Sequence, residues 1–104
     1  VLDVSAENIL IRAKQPAGLF YGIQTLLQLL PPSIFSKSEV SSIKWKVPSL
    51  KITDYPRFQW RGLLIDPARH FIPVNDVKKF ISVMAMHKFN RLQIHFTDNI
   101  GWRI

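Results

Sequence analysis

Residues Trp60–Ile104 carry two apolar runs separated by one amphipathic stretch, and that order leaves few folds open. Leu63-Leu64-Ile65 is followed at once by Asp66, Arg69 and His70. Leu92-Gln93-Ile94-His95-Phe96 is followed by Thr97, Asp98 and Asn99. Between them Val77, Phe80, Ile81, Met84 and Lys88 recur at helical spacing. This predicts a helix over Val77–Lys88 with one apolar face. Pro73 just before it, with Asn75 and Asp76 in or beside its first turn, suits a helix start. Two strands joined by a crossover helix run parallel, as a βαβ unit. Ligands of such units gather beyond the carboxyl ends of the strands. Both carboxyl ends here carry charged and polar groups.

The first half reads differently. Val1–Ser5 and Asn8–Ala13 are expected as short strands, with Ala6-Glu7-Asn8 as their turn. Leu19, Ile23, Leu26, Leu27 and Leu30 predict a helix over Leu19–Leu30, stopped by Pro31-Pro32. Gly22 inside it costs about 1 kcal/mol relative to alanine, a cost that close packing against a neighbouring backbone would explain. Ser33–Ser42 lacks a period and reads as a loop. Ile43, Trp45, Val47, Leu50 and Ile52 sit among Lys44, Lys46 and Lys51. Such alternation predicts strands with one solvated face, interrupted at Pro48. Asp54-Tyr55-Pro56-Arg57 is a turn and the best boundary. The expected division is 1–47, a linker over 48–57, and 58–104.

Composition narrows the partners. Fourteen Lys and Arg against seven acids give a formal charge of +7. A basic chain can signal nucleic acid or an acidic surface. Here the cations are scattered, with only Lys44/Lys46 and Lys78/Lys79 as close pairs, so neither is expected. The same charge also fits a chain whose acids lie in a missing part. No apolar run is long enough to cross a bilayer, and no leader pattern opens the chain. A start further upstream and a removed targeting signal are both open. Cysteine is absent, which excludes disulfides and thiolate–metal sites.

Four blocks in order resemble one enzyme family: GLFYGIQTLLQLL (18–30), YPRFQWRGLLIDPARHF (55–71), MAMHKFNRL (84–92) and IHFTDNIGWR (94–103). The sequence is similar to family 20 glycoside hydrolases, the β-N-acetylhexosaminidases. The resemblance implies an α/β fold: the end of a small α+β auxiliary domain, then the first β-α-β unit of a (β/α)8 TIM barrel. It implies a retaining enzyme that releases terminal N-acetylglucosamine or N-acetylgalactosamine from β-linked N-acetylhexosamine glycans, without cofactor or metal. In such enzymes the substrate's own acetamido oxygen is the nucleophile. An Asp orients it and a neighbouring Glu is the acid/base. This chain has no adjacent Asp-Glu, so alone it is expected to be inactive, poorly stable and prone to self-association. Two positions carry over: Arg69 as the ligand of sugar hydroxyls, and Asp98 as the acid that supports a downstream histidine and the acid/base Glu through hydrogen bonds. Where the family usually has a second Asp and then Gln, Asn99 and Ile100 stand here. The implied compartment is periplasmic, secreted or lysosomal.

The residues themselves leave alternatives. A non-catalytic carbohydrate-binding or interaction module could keep the same barrel start, and a basic nucleic-acid binder is a third reading. An Asp-Glu pair further along the gene would separate the first from the others. Asp98 could simply cap local amides in a turn. Asp66 reads as the residue holding the loop that presents Arg69. His95 reads as a core histidine, and His70, His95 and Asp98 lack the close ligand spacing of a metal site. Trp60 reads as packing, Trp102 is open, and Arg57 and Arg61 read as ion-pair partners.

Overall fold

The computed structural model describes residues 1–35, 44–99 and 101–103. The chain forms two compact units, Val1–Tyr55 and Pro56–Ile104.

In the first unit, β1 (Leu2–Val4) is the middle strand of a three-stranded antiparallel sheet in the order β2-β1-β3. It pairs with β2 (Ile9–Ile11) through Leu2↔Ile11 and Val4↔Ile9. On its other side it pairs with β3 (Leu50–Ile52) through Leu2↔Ile52 and Val4↔Leu50. Side chains alternate across a strand, so Leu2 and Val4 share one face, and both are buried. The β1–β2 turn is tied by Ser5: its hydroxyl takes the Asn8 amide at 3.0 Å and donates to the Asn8 carbonyl at 3.1 Å.

Helix α1 (Pro16–Gln28) starts and stops earlier than its apolar repeat implied. Proline at the start of a helix loses no hydrogen bond, since the first amides have no intrahelical partner. Gly22 lies against the Ile11 side chain: a Cβ built there would come within 2.5 Å of Ile11 Cγ2. Its helix cost therefore has a packing reason, through a strand side chain rather than a neighbouring backbone.

The stretch 48–57, expected as a linker, holds β3, paired to β1 from the far end of the unit. An alternating apolar strand was visible there, but its pairing partner was not. Ser33–Phe35, expected as the start of a loop, belongs to a short 3-10 helix, Pro32–Phe35. The rest of the expected loop, 36–42, and Ile43 lie outside the described residues. Residues 44–49 have no regular structure.

In the second unit, β4 (Gly62–Ile65) and β5 (Arg91–Ile94) run parallel, in register from Gly62↔Arg91 to Ile65↔Ile94. Helix α2 (Val74–Met86) connects them. Asp76 in its first turn meets the helix dipole and pairs with Lys79 at 3.0 Å. The helix ends before the predicted Lys88, because Lys88 adopts a left-handed φ of 62°. The Lys88 amide bonds the Ala85 carbonyl, and the Phe89 amide bonds the Met84 carbonyl, both at 3.0 Å. This double reversal closes the helix in the way glycine usually does. Asn90 then ties the strand starts together. Its side chain accepts from the Arg61 amide at 3.0 Å and donates to the Gln59 carbonyl at 2.8 Å.

Burial in this unit is thin. Among the described residues Ile65, Ala68 and Met84 are its buried apolar residues, while Ile81 of the predicted apolar stripe is exposed. Two strands are too narrow to cover a three-turn helix. Leu64 on the sheet is 56% exposed.

Candidate functional site

The strand ladder continues past its formal end. The His95 amide donates to the Ile65 carbonyl at 3.0 Å, and the Ala68 amide donates to the His95 carbonyl at 3.2 Å. These bonds lay the segment after β4 beside the segment after β5. Asp66, Arg69, His95 and Asp98 meet there.

Asp66 holds Arg69 at both ends of the residue. Its Oδ1 accepts the Arg69 amide at 3.1 Å, and its Oδ2 lies 3.2 Å from the Arg69 guanidinium. Arg69 Nε donates to Asp98 Oδ2 at 3.1 Å. The guanidinium is thus fixed between two carboxylates, yet 66% of the side chain is open to solvent. Its planar set of donors suits a pair of vicinal hydroxyls.

Asp98 Oδ2 also meets His95 Nε2 at 3.1 Å. Asp98 Oδ1 accepts the Asn99 amide at 2.7 Å. One oxygen therefore caps its own turn, while the other joins an arginine and a histidine. The Asn99 amide holds the Asp98 carboxyl below the usual carboxylate range; the His95 bond and the Arg69 charge act in the same direction, and burial opposes them. A carboxylate only accepts, so His95 Nε2 carries the hydrogen in this contact.

Sequence reasoning placed His95 in the core. Its side chain is half-buried and bonded to Asp98. The available signal was the three-residue spacing across a strand end, which became a contact only because the chain folds back after Phe96. There Thr97–Asp98 (β6) and Gly101–Trp102 (β7) form a small antiparallel pair, Thr97↔Trp102 and Asp98↔Gly101. The polar segment expected as a loop is thus one side of a hairpin. Ile100, one of the two departures from the family pattern, lies outside the described residues. Thr97, Asp98 and Trp102 line an open hollow of about 330 Å³, so Trp102 stands beside Asp98.

The other candidates lie elsewhere. Arg61 donates to the backbone carbonyls of Lys88 at 2.8 Å and Phe58 at 2.5 Å. Arg57 lies over the Phe58 ring, and Arg91 over Trp60 at 5.1 Å. Among the described residues no group of three His, Asp or Glu is placed to hold a metal ion.

Residues 1–55 match glycosyl hydrolase family 20, domain 2, and residues 58–104 match the catalytic domain of that family. The chain belongs to glycosyl hydrolase family 20. It is 49% identical over 103 residues to a beta-hexosaminidase of Akkermansia muciniphila, covering 99% of this chain and 20% of the relative. A beta-hexosaminidase of Porphyromonas gingivalis is 47% identical, over 100% of this chain and 13% of the relative. The chain therefore spans a fifth or less of these family 20 relatives. Among solved structures, the Streptomyces plicatus N-acetyl-beta-hexosaminidase in complex with Thio-NAglucal matches with a TM-score of 0.89 and 42% identity, over 97% of this chain and 20% of that one.

Proposed function

We propose that this chain is part of an exo-acting, retaining β-N-acetylhexosaminidase that releases terminal N-acetylglucosamine or N-acetylgalactosamine. In this reading β4, α2 and β5 are the first β-α-β unit of a (β/α)8 barrel, and Val1–Tyr55 belongs to the auxiliary domain before it. The observation that carries the reading is the position of Arg69: a solvent-facing guanidinium clamped by two carboxylates, just beyond the ends of two parallel strands. Barrel enzymes place their sites at those ends. A mutant Streptomyces plicatus beta-hexosaminidase, 42% identical over the matched part, binds the product GlcNAc, which supports the substrate class.

Arg69 binds hydroxyls of the terminal sugar. Asp66 and Asp98 use up part of its donor set and fix the plane of the rest. The acetamido oxygen of the substrate attacks the anomeric carbon as the glycosidic bond breaks, and the acid/base Glu protonates the departing oxygen. That Glu and its neighbouring Asp are not among these residues. Asp98 acts on the reaction indirectly, through Arg69 and through a histidine downstream of these residues.

The test is kcat/KM of the complete enzyme on a chromogenic N-acetylglucosaminide. Arg69→Ala should lower it roughly 100-fold or more, because hydrogen bonds between a charged group and the sugar hydroxyls are lost. Arg69→Lys should not restore it, since the fork geometry is gone. An unchanged kcat/KM in the alanine variant would remove Arg69 from the site.

A further inference from the structure

We propose that Arg103 is the positioning residue that sets where Arg69 stands; this rests on Arg69 being a sugar ligand. Arg69 lies on the segment that follows β4, and Arg103 grips that segment on both sides of it. Arg103 Nε donates to the Pro67 carbonyl at 3.2 Å, two residues before Arg69. The Arg103 guanidinium lies 5.6 Å from the centre of the Phe71 ring, two residues after it. The Arg103 amide donates to the Phe96 carbonyl at 2.9 Å, which ties its own backbone to the exit of β5. One residue thus joins the Arg69 segment, through its side chain, to the exit of β5, through its backbone.

The neighbouring strand closes the same joint. Gly101 stands opposite Asp98 in the β6–β7 pair. A Cβ there would run into the Ala68 carbonyl oxygen, next to Arg69. The hairpin backbone therefore lies directly against the loop backbone, with no room for a side chain. Asp66 orients Arg69 from within its own segment, whereas Arg103 fixes that segment relative to Asp98. A guanidinium suits this task, because one planar group can donate at its edge and stack on its face.

The experiment measures kcat, KM and Tm of the complete enzyme carrying Arg103→Ala and Arg69→Ala, alone and together, with a chromogenic N-acetylglucosaminide. Arg103→Ala should lower kcat/KM about tenfold, since a small displacement of a binding group is costly. On the Arg69→Ala background the same change should matter less than about twofold, because the two act as one unit. If Arg103→Ala does not fold, Arg103→Lys replaces it; lysine keeps the charge and loses the Nε donor. Losses that multiply in the double variant would overturn the proposal, since Arg103 would then act on something other than Arg69. A lowered Tm with unchanged kcat/KM would overturn it too. An inactive parent enzyme removes the hexosaminidase reading and the proposal together, whereas an active parent with multiplying losses removes the proposal alone.

Discussion

Arg69 reaches Asp98 across 29 residues of sequence, Nε to Oδ2 at 3.1 Å. The contact joins the carboxyl ends of β4 and β5. It leaves each partner with a second bond: Arg69 to Asp66, and Asp98 to His95. The carboxylate of Asp98 is the point where the two strand ends are held together by charge.

Asp98→Asn should lower kcat more than it raises KM. Three donors converge on the carboxylate: the Asn99 amide, His95 Nε2 and Arg69 Nε. An asparagine offers one oxygen and one NH2, so a donor then faces a donor. A loss of roughly 10–100-fold in kcat is expected, with a displaced limb in the pH–rate profile. A profile superimposable on the parent's would reduce Asp98 to a turn residue.

The same carboxyl makes a prediction about acid. Its pKa is lowered in the folded protein, chiefly by the Asn99 amide. A lowered folded pKa means stabilisation that is fully present above the unfolded value, about 3.9. It is lost as pH falls through the lower folded value. The Tm difference between parent and Asp98→Asn should be constant above about pH 5 and shrink as the solution becomes more acidic. A difference that grows on acidification contradicts the assignment. In a His95→Phe variant, carboxyl NMR titration should find the Asp98 pKa moved back toward the ordinary value, because one of its donors is gone.

Lys88 pays for the end of α2. At a φ of 62° its Cβ is strained, and glycine would not be. Lys88→Gly should stabilise by about 0.5–1 kcal/mol and raise the denaturation midpoint. Lys88→Val should lower it, since a branched Cβ fits that region worst. Equal midpoints for both would show that the turn relaxes.

Residues 1–104 expressed alone should give no turnover of N-acetylhexosaminides at any pH. Among the described residues the sheets of the second unit, β4–β5 and β6–β7, have two strands each, and a two-stranded sheet is marginal in water. Leu64 is 56% exposed and Trp60 71%, and open strand edges invite pairing between copies. Sedimentation should show concentration-dependent association, and the melt should be broad. Clear turnover, or a sharp melt of a monomer, is the opposite result.

The order of strand, helix and strand in the second half was legible in the sequence because side-chain periodicity is a local property. Apolar residues at helical spacing between two apolar runs leave the chain one economical way to bury them. The placement of Asp66 and Arg69 after β4, and of Asp98 after β5, followed from the same local order. The contacts among them did not. Whether Asp98 meets Arg69 depends on the register Ile65↔Ile94 and on the ladder running one step further, through His95 and Ala68. His95 was read as core because its strand face was visible and the hairpin that brings Asp98 to it was not. β3 was similar: its alternation was visible, but its place beside β1 required closing a loop of nearly the whole first unit. Sequence by itself determined the strand, helix and strand of β4, α2 and β5, since each residue's neighbours at i+2 and i+4 are written in the chain; the same alternation around Trp45 and Val47 gave no strand. Tertiary structure alone decided which strand ends meet, because pairing register is set by contacts between residues far apart.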